Sequence, residues 1–198
     1  MPRTYDIILK DLCRDHRYYW TPDIRTRVRN YLNDWFRDVC RHSSQLGQPT
    51  ARCWWRSNKA LVEEDELVVY FLPEPSDSLV VKKAGSDGHR GAAGRTSWTK
   101  RGMISEIYIS EAAGDANLAK LISVLAFHEL MHNKLDAHPD VASTVSDVHS
   151  MGGAAKAKFG SSDIPTDANK KALGANLHLK VAQYTGHLFS RPVGGLPR

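Results

Sequence analysis

The stretch that decides the fold is residues 117–132, which read NLAKLISVLAFHELMH. It contains no Gly or Pro, and apolar residues occupy nearly every position around a helical wheel, a pattern typical of a helix buried beneath a cleft. Carried through its last residue, this helix places His128 and His132 at positions i and i+4, one turn apart on one face. The sequence therefore predicts a buried helix that presents two imidazoles together.

Two imidazoles at this spacing can bind one zinc ion, with nitrogens about 2.0–2.1 Å from the metal. Glu129 lies about 100° further round the same turn, where it can reach a metal-bound water without binding the ion. A carboxylate there can accept the water's proton and later pass it to a leaving group. The alternative is a pair of core histidines that only satisfy hydrogen bonds. We favour a metal site because the spacing and its apolar context agree.

Composition narrows the choice of a third metal ligand. The chain has no glutamate after Glu129, so the ligand must be a His or Asp unless an upstream Glu supplies it. Asp136 continues the helical row, but three side chains along one straight helix cannot converge on a tetrahedral ion. His138 requires the chain to turn back, and Asn133 or Asp136 can adopt the left-handed conformation that ends a helix. With a water in the fourth position, His138 would complete a three-histidine catalytic site.

The pattern His128-Glu129-x-x-His132-x-x-Leu135-x-x-His138 resembles the extended zinc motif of the metzincin metallopeptidases. The resemblance implies that the three histidines are zinc ligands and that Glu129 is the general base. It covers roughly residues 104–153. The motif departs from the family at Leu135, where the usual residue is glycine, and a leucine in the left-handed region would cost about 1–2 kcal/mol.

Metzincins also have a methionine turn beneath the metal. Met151, in the stretch HSMGG at residues 149–153, follows the histidine motif closely enough to supply it. No tyrosine follows Met151 at the short distance that some subfamilies show. In domain size and general appearance, the chain also resembles the metallopeptidase effector domains attached to bacterial type VI secretion spikes.

Length and composition predict one soluble domain. The chain has 198 residues, of which 41% are hydrophobic, and it shows no repeat or second domain boundary. We expect a single metallopeptidase domain over residues 1–198, with a disordered tail at 192–198. The first residues do not form a signal peptide, and no apolar run approaches membrane-spanning length. We therefore expect a soluble protein or a soluble domain of a larger one, which a secretion system could deliver.

The cysteines are few and scattered. Cys13, Cys40 and Cys53 form an odd set without a C-x-x-C pair, so we expect buried or incidental thiols with at most one disulfide. None of them is close in sequence to the histidine cluster, and this argues against a cysteine-ligated zinc.

The remaining elements predict an α+β domain. Thr21-Pro22 opens an amphipathic helix, and Thr166 or Asp167 caps a last helix. Strand-like runs occupy residues 66–72, 79–81 and 103–110, all before the histidine helix. We therefore expect a small mixed or antiparallel sheet packed on a buried active-site helix, flanked by N- and C-terminal helices, in a zincin-like arrangement.

Basic residues are concentrated in two places. Residues 82–102, rich in Gly, Lys and Arg, predict a mobile solvated loop, or alternatively a cationic lip that attracts acidic partners. Arg25, Arg27 and Arg29 lie mostly off the apolar stripe of the first helix. We interpret them as a solvated surface, because aspartates are interspersed, rather than as a nucleic-acid face.

The function predicted from these features is a zinc-dependent endopeptidase that uses a zinc-activated water and Glu129 as general base. Its substrate would be an extended polypeptide held beside a strand edge, either 78–81 or 103–110. One alternative is a zinc hydrolase of another amide, such as a cell-wall peptide. The other is a basic nucleic-acid-binding module, since the sequence pI is about 9.1 and the net charge is +5.

Overall fold

The strands of this α+β chain form a mixed five-stranded sheet, and helices pack on one of its faces. The computed structural model describes residues 3–13, 19–45, 47–57, 66–80, 93–99, 102–135, 150–151, 154–155 and 160–178. In chain order the elements are β1 (Thr4–Asp11), α1 (Pro22–Arg41), β2 (Thr50–Trp55), β3 (Leu67–Leu72), a 3-10 turn (Pro75–Asp77), β4 (Gly94–Thr99), β5 (Gly102–Tyr108), α2 (Ile109–Ala112), α3 (Leu118–Leu135), β6 (Ser150–Met151), β7 (Ala154–Ala155) and α4 (Asp167–Asn176).

The strand order in the sheet is β2-β1-β3-β5-β4. β1 pairs in parallel with both β2 and β3, and β3 pairs in parallel with β5. β4 runs antiparallel to β5 and lies at one end of the sheet. The predicted mixed α+β class is confirmed. The prediction that 103–110 forms an exposed edge is wrong, because β5 lies between β3 and β4. Of the alternative edge at 78–81, the described residues 78–80 are not in the sheet, whose two edges are β2 and β4.

β3 lies at the centre of the sheet, and all six of its residues are buried. Its sequence LVVYFL is a continuous apolar run, as expected for a strand that is covered on both faces. Val69 and Phe71 join the larger core cluster, while Val68 and Tyr70 join the cluster on the opposite face. The strand predicted at 66–72 is therefore confirmed to within one residue.

α1 packs on the face of the sheet that α3 also covers. The Thr21 side chain accepts a hydrogen bond from the Ile24 N–H at 3.3 Å, and Pro22 begins the helix, as predicted. One stripe of the helix is buried in the larger core and consists of Val28, Leu32, Phe36, Val39 and Cys40. Because the stripe repeats every three to four residues, the helix can bury its apolar side chains against a single surface.

α3 is the most buried helix of the described chain. It has buried residues on all sides, from Ala119 to Leu135, as the apolar pattern predicts. The Phe127 ring contacts the rings of Trp35 and Phe36 of α1, with ring centroids 6.0 and 5.3 Å away. The strand predicted to lead straight into this helix ends at Tyr108, and the short helix α2 follows it.

One loop prediction and one strand prediction are wrong where the structure describes the residues. Gly94–Thr99 form strand β4, although the sequence predicted a solvated loop over 82–102. Leu79 and Val80 form a bend rather than the predicted short strand. A buried carboxylate holds this bend: Glu106 of β5 accepts hydrogen bonds from the Ser78 hydroxyl at 2.7 Å and the Leu79 N–H at 2.6 Å. Burial raises the pKa of Glu106, and these hydrogen bonds oppose that shift.

The last described helix is α4. Thr166 caps it in a reciprocal arrangement: its hydroxyl accepts from the Asn169 N–H at 3.1 Å, and the Asn169 side chain accepts from the Thr166 N–H at 3.1 Å. The predicted cap is confirmed. The rest of the predicted helical stripe and the tail at 192–198 lie outside the described residues.

The prediction that the cysteines are buried thiols is confirmed within the described chain. Cys13, Cys40 and Cys53 are buried free thiols, and burial raises the pKa of Cys40 to about 11. None of the described helices has both the length and the apolar character needed to cross a membrane.

Candidate metal and catalytic site

His128 and His132 project together from the C-terminal half of α3. Their Nε2 atoms are 3.0 Å apart, and their rings are nearly perpendicular, with centroids 4.5 Å apart. His128 is buried and His132 is half-buried. The i, i+4 spacing that the sequence predicted therefore places two ring nitrogens close together at the edge of the core.

The pair fits a tetrahedral metal ion. Two zinc–nitrogen bonds of about 2.0–2.1 Å that meet at a tetrahedral angle separate the nitrogens by about 3.3 Å, close to the observed distance. At this separation one neutral ring can also donate its Nε2–H to the Nε2 lone pair of the other ring. A cation that accepts lone pairs from both Nε2 atoms would replace that hydrogen bond. The donor set and its spacing are therefore compatible with zinc.

Glu129 follows His128 on α3, but its carboxylate faces strand β4. Its Oε2 accepts a hydrogen bond from Thr96 Oγ1 at 2.7 Å. The residue is only 6% exposed. A carboxylate in this position can hold or release a proton while it is largely shielded from bulk water.

A hydroxyl and amide cluster surrounds the backbone of Glu129. Ser105 Oγ of β5 donates to the Glu129 carbonyl oxygen at 3.1 Å, and Asn133 Nδ2 donates to Ser105 Oγ at 3.1 Å. Thr96 Oγ1 lies 2.9 Å from Ser105 Oγ. α3, β4 and β5 thus meet through buried polar contacts at the residue that carries the candidate general base.

The sequence analysis missed Thr96, Ser105 and Asn133 as parts of the site. They were missed because β4 was not predicted, although its run RTSWT contains residues that favour strands. β4 and β5 are joined by only two residues, Lys100 and Arg101. A short link between two strand-like runs indicates a hairpin, but this one lacks the Asn-Gly or Asp-Gly pair that usually marks such a turn.

The structure does not place two of the predicted site residues, His138 and Met151, beside the histidine pair. His138 lies outside the described residues, and so do Asp136 and His149. Met151 falls in β6, which pairs with β7 in a separate two-stranded sheet. Among the described residues, no group of three or more His, Cys, Asp or Glu side chains is arranged to hold a metal ion. His138 and Met151 therefore stay predictions of the sequence.

The end of α3 differs from what the metzincin motif suggested. Asn133 and Leu135 are both helical and fully buried, so Asn133 does not end the helix. Within the described chain, Gln48 is the non-glycine residue with a positive φ. Leu135 at the motif's glycine position is helical, as the last residue of α3, and so does not bear the cost of a left-handed leucine.

Comparison of the chain with protein-family models, with curated proteins and with solved structures finds no match.

Proposed function

We propose that this chain is a zinc-dependent metallopeptidase that cleaves internal peptide bonds of extended polypeptides. The observation that carries the proposal is the pair of Nε2 atoms of His128 and His132, 3.0 Å apart, with the Glu129 carboxylate on the adjacent residue. This combination supplies two metal ligands and one proton carrier from a single rigid helix.

His128 and His132 would hold the zinc ion, and the resemblance to metzincins makes His138 the third ligand. When bound, zinc supplies Lewis acidity toward the scissile carbonyl and the attacking water. Glu129 would accept a proton from the water at a carboxylate oxygen and deliver it to the departing amine. Since Glu129 is buried, few bulk water molecules compete for that proton.

Strand β4 supports an extended peptide as the substrate. One edge of β4 pairs with β5, and no described strand pairs with its other edge. A peptide added at that edge would lie about 4.8 Å from β4 and hydrogen-bond to its main chain. Thr96 of β4 contacts Glu129, so the added peptide would run past the histidine helix. This edge replaces the two that the sequence analysis suggested.

The metzincin-like motif and the sheet packed against α3 together support a zincin-like arrangement as part of the proposal. The basic-module alternative is less well supported, because aspartates pair with three of the five arginines of α1. Arg25 pairs with Asp11 at 2.6 Å, Arg37 with Asp34 at 3.1 Å and Arg41 with Asp38 at 2.7 Å. Attachment to a larger protein or a secretion apparatus stays a prediction of the sequence.

The test is to incubate zinc-loaded wild-type protein and the Glu129→Gln variant with unfolded proteins, and to map the cleaved bonds by mass spectrometry. We expect internal cuts by the wild type. We expect a rate at least about 10³-fold lower for the variant, because it loses the proton carrier. The variant should keep stoichiometric zinc by elemental analysis and a native circular dichroism spectrum.

Loss of zinc together with activity in Glu129→Gln would make Glu129 a ligand and contradict the proposed mechanism. Absence of cleavage by fully zinc-loaded wild type would contradict the endopeptidase. In that case, release of amines from cell-wall peptides under the same conditions would identify the other-amide hydrolase.

A further inference from the structure

The contact between β4 and Glu129 joins the edge of the sheet to the candidate general base. Thr96 Oγ1 lies 2.7 Å from Glu129 Oε2 and 3.0 Å from the Glu129 carbonyl oxygen. A hydroxyl has one proton, so it donates to one of these acceptors at a time. The neighbouring groups determine which acceptor is favoured.

Ser105 supplies a second donor at the carbonyl. Its hydroxyl accepts a hydrogen bond from Asn133 Nδ2 and can donate to the Glu129 carbonyl oxygen at 3.1 Å or to Thr96 Oγ1 at 2.9 Å. The proton of Thr96 is then directed to the carboxylate, where a charge-assisted hydrogen bond is stronger than one to a neutral carbonyl. The buried cluster thus orients the Thr96 hydroxyl toward Oε2.

Gly94, on the same face of β4, borders the other carboxylate oxygen. A Cβ at this position would lie 2.9 Å from Glu129 Oε1, 3.0 Å from Ile107 Cδ1 and 3.1 Å from Glu129 Cγ. Its φ is outside the left-handed region, so the glycine is required for space rather than for backbone conformation. A side chain at residue 94 would displace the carboxylate.

We propose that Thr96 is a positioning residue for Glu129, and that Gly94 leaves the space in which the positioned carboxylate sits. This inference rests on the proposed peptidase function. The Glu129 side chain has three rotatable bonds, and the Thr96 hydroxyl holds it in one orientation against β4. Thr96 acts through Glu129 and does not itself contact the reacting atoms.

The first test compares Thr96→Val, Thr96→Ser and a control, Ser97→Ala, in the zinc-loaded protein. Ser97 is buried on the opposite face of β4, and its hydroxyl has no hydrogen-bond partner among the described residues. We expect Thr96→Val to lower kcat about 10- to 100-fold, the range for losing a hydrogen bond to a charged group. KM should stay within about twofold because peptide docking uses the main chain of β4.

Thr96→Ser keeps the hydroxyl and should restore most of kcat, whereas Ser97→Ala should leave it unchanged. Gly94→Ala should lower kcat without releasing zinc, because it displaces Oε1 and not the histidines. A Thr96→Val variant with wild-type kcat would overturn the positioning role. So would a Thr96→Ser variant as slow as Thr96→Val, since that result would show a packing role for the methyl group.

A second test uses the zinc-free protein and does not depend on activity. The fall in Tm caused by Thr96→Val is measured in the wild-type background and in the Glu129→Ala background. We expect a smaller fall in the second background, because the carboxylate partner is gone. Equal falls would overturn the contact. Zinc-loaded wild type without activity would instead refute the proposed function, and with it any positioning for catalysis.

Discussion

Single residues of α3 combine properties that rarely occur together in a protein core. His128 and Glu129 are polar and buried, and both lie in a helix whose buried residues are mostly apolar. A buried polar group is tolerated when hydrogen bonds or a metal ion compensate its lost hydration. Thr96 provides such a bond to Glu129 Oε2. The cost of burying these side chains is consistent with a functional role, since apolar residues would stabilise the same positions more simply.

The ligand set is tested at this scale by replacing His138. We expect His138→Ala to weaken zinc affinity at least about 100-fold, as much as His132→Ala does, because each would remove one of three protein ligands. Competition with a chromophoric chelator measures the affinity. His178→Ala is the matched control, since His178 is exposed just after α4.

Full zinc affinity in His138→Ala would refute the metzincin-like ligand set. If His149→Ala then lost affinity, His149 would replace His138 as the third ligand.

Contacts between elements explain how helices that are distant in sequence come together. α4 packs on the C-terminal end of α1, and Lys170 Nζ lies 3.5 Å from Asp38 Oδ2 across this contact. Gly174 allows the close approach, because a Cβ there would lie 2.5 Å from the Val39 carbonyl oxygen and 2.8 Å from His42 Cβ. The helix tolerates a glycine in its interior because a larger residue does not fit.

We therefore expect Gly174→Ala to destabilise the protein by about 1–3 kcal/mol through overpacking. Helix propensity alone would predict a gain of about 1 kcal/mol, so the sign of the change separates the two effects. Urea denaturation measures it. The control is Ala175→Gly at an exposed position of the same helix, which reports the propensity term alone. A stabilised Gly174→Ala variant would show that α4 does not pack this closely on α1.

At the scale of the whole molecule, the sheet separates two apolar clusters. The larger one contains the buried stripes of α1 and α3 together with Leu173 and Leu177. The smaller one, on the opposite face, contains Ile8, Val68, Tyr70, Leu72, Ile104 and Tyr108. The candidate metal ligands are not among the apolar residues of either cluster, so we expect the described chain to fold without a metal ion.

This separation predicts the effect of zinc on stability. The chelated protein should keep its circular dichroism spectrum and unfold cooperatively. Zinc at about 100 times its Kd should raise the unfolding free energy by about 2.7 kcal/mol, or Tm by roughly 5–10 °C. The His128→Ala/His132→Ala double variant should show no shift in Tm. A chelated wild type that is unfolded would mean that the metal organises the core.

The local features of the chain were predictable from its sequence because local rules produce them. The spacing of His128 and His132 follows from the helical repeat, and the absence of Gly and Pro allows the helix to extend through both. The cap at Thr21 and the apolar run of β3 likewise depend on neighbouring residues. The candidate ligand pair, the candidate base and the central strand are therefore consequences of the sequence alone.

Only the tertiary structure determined what surrounds Glu129. Thr96 and Glu129 are 33 residues apart, and Ser105 and Asn133 are 28 apart. Strand order and register set these contacts, and a strand's own residues do not specify which neighbour it pairs with. The place of β4 at the edge depends on the same pairings. The arrangement of the strands is selected by the total apolar surface that the whole core buries. That total depends on the complete fold and cannot be read from a local sequence pattern.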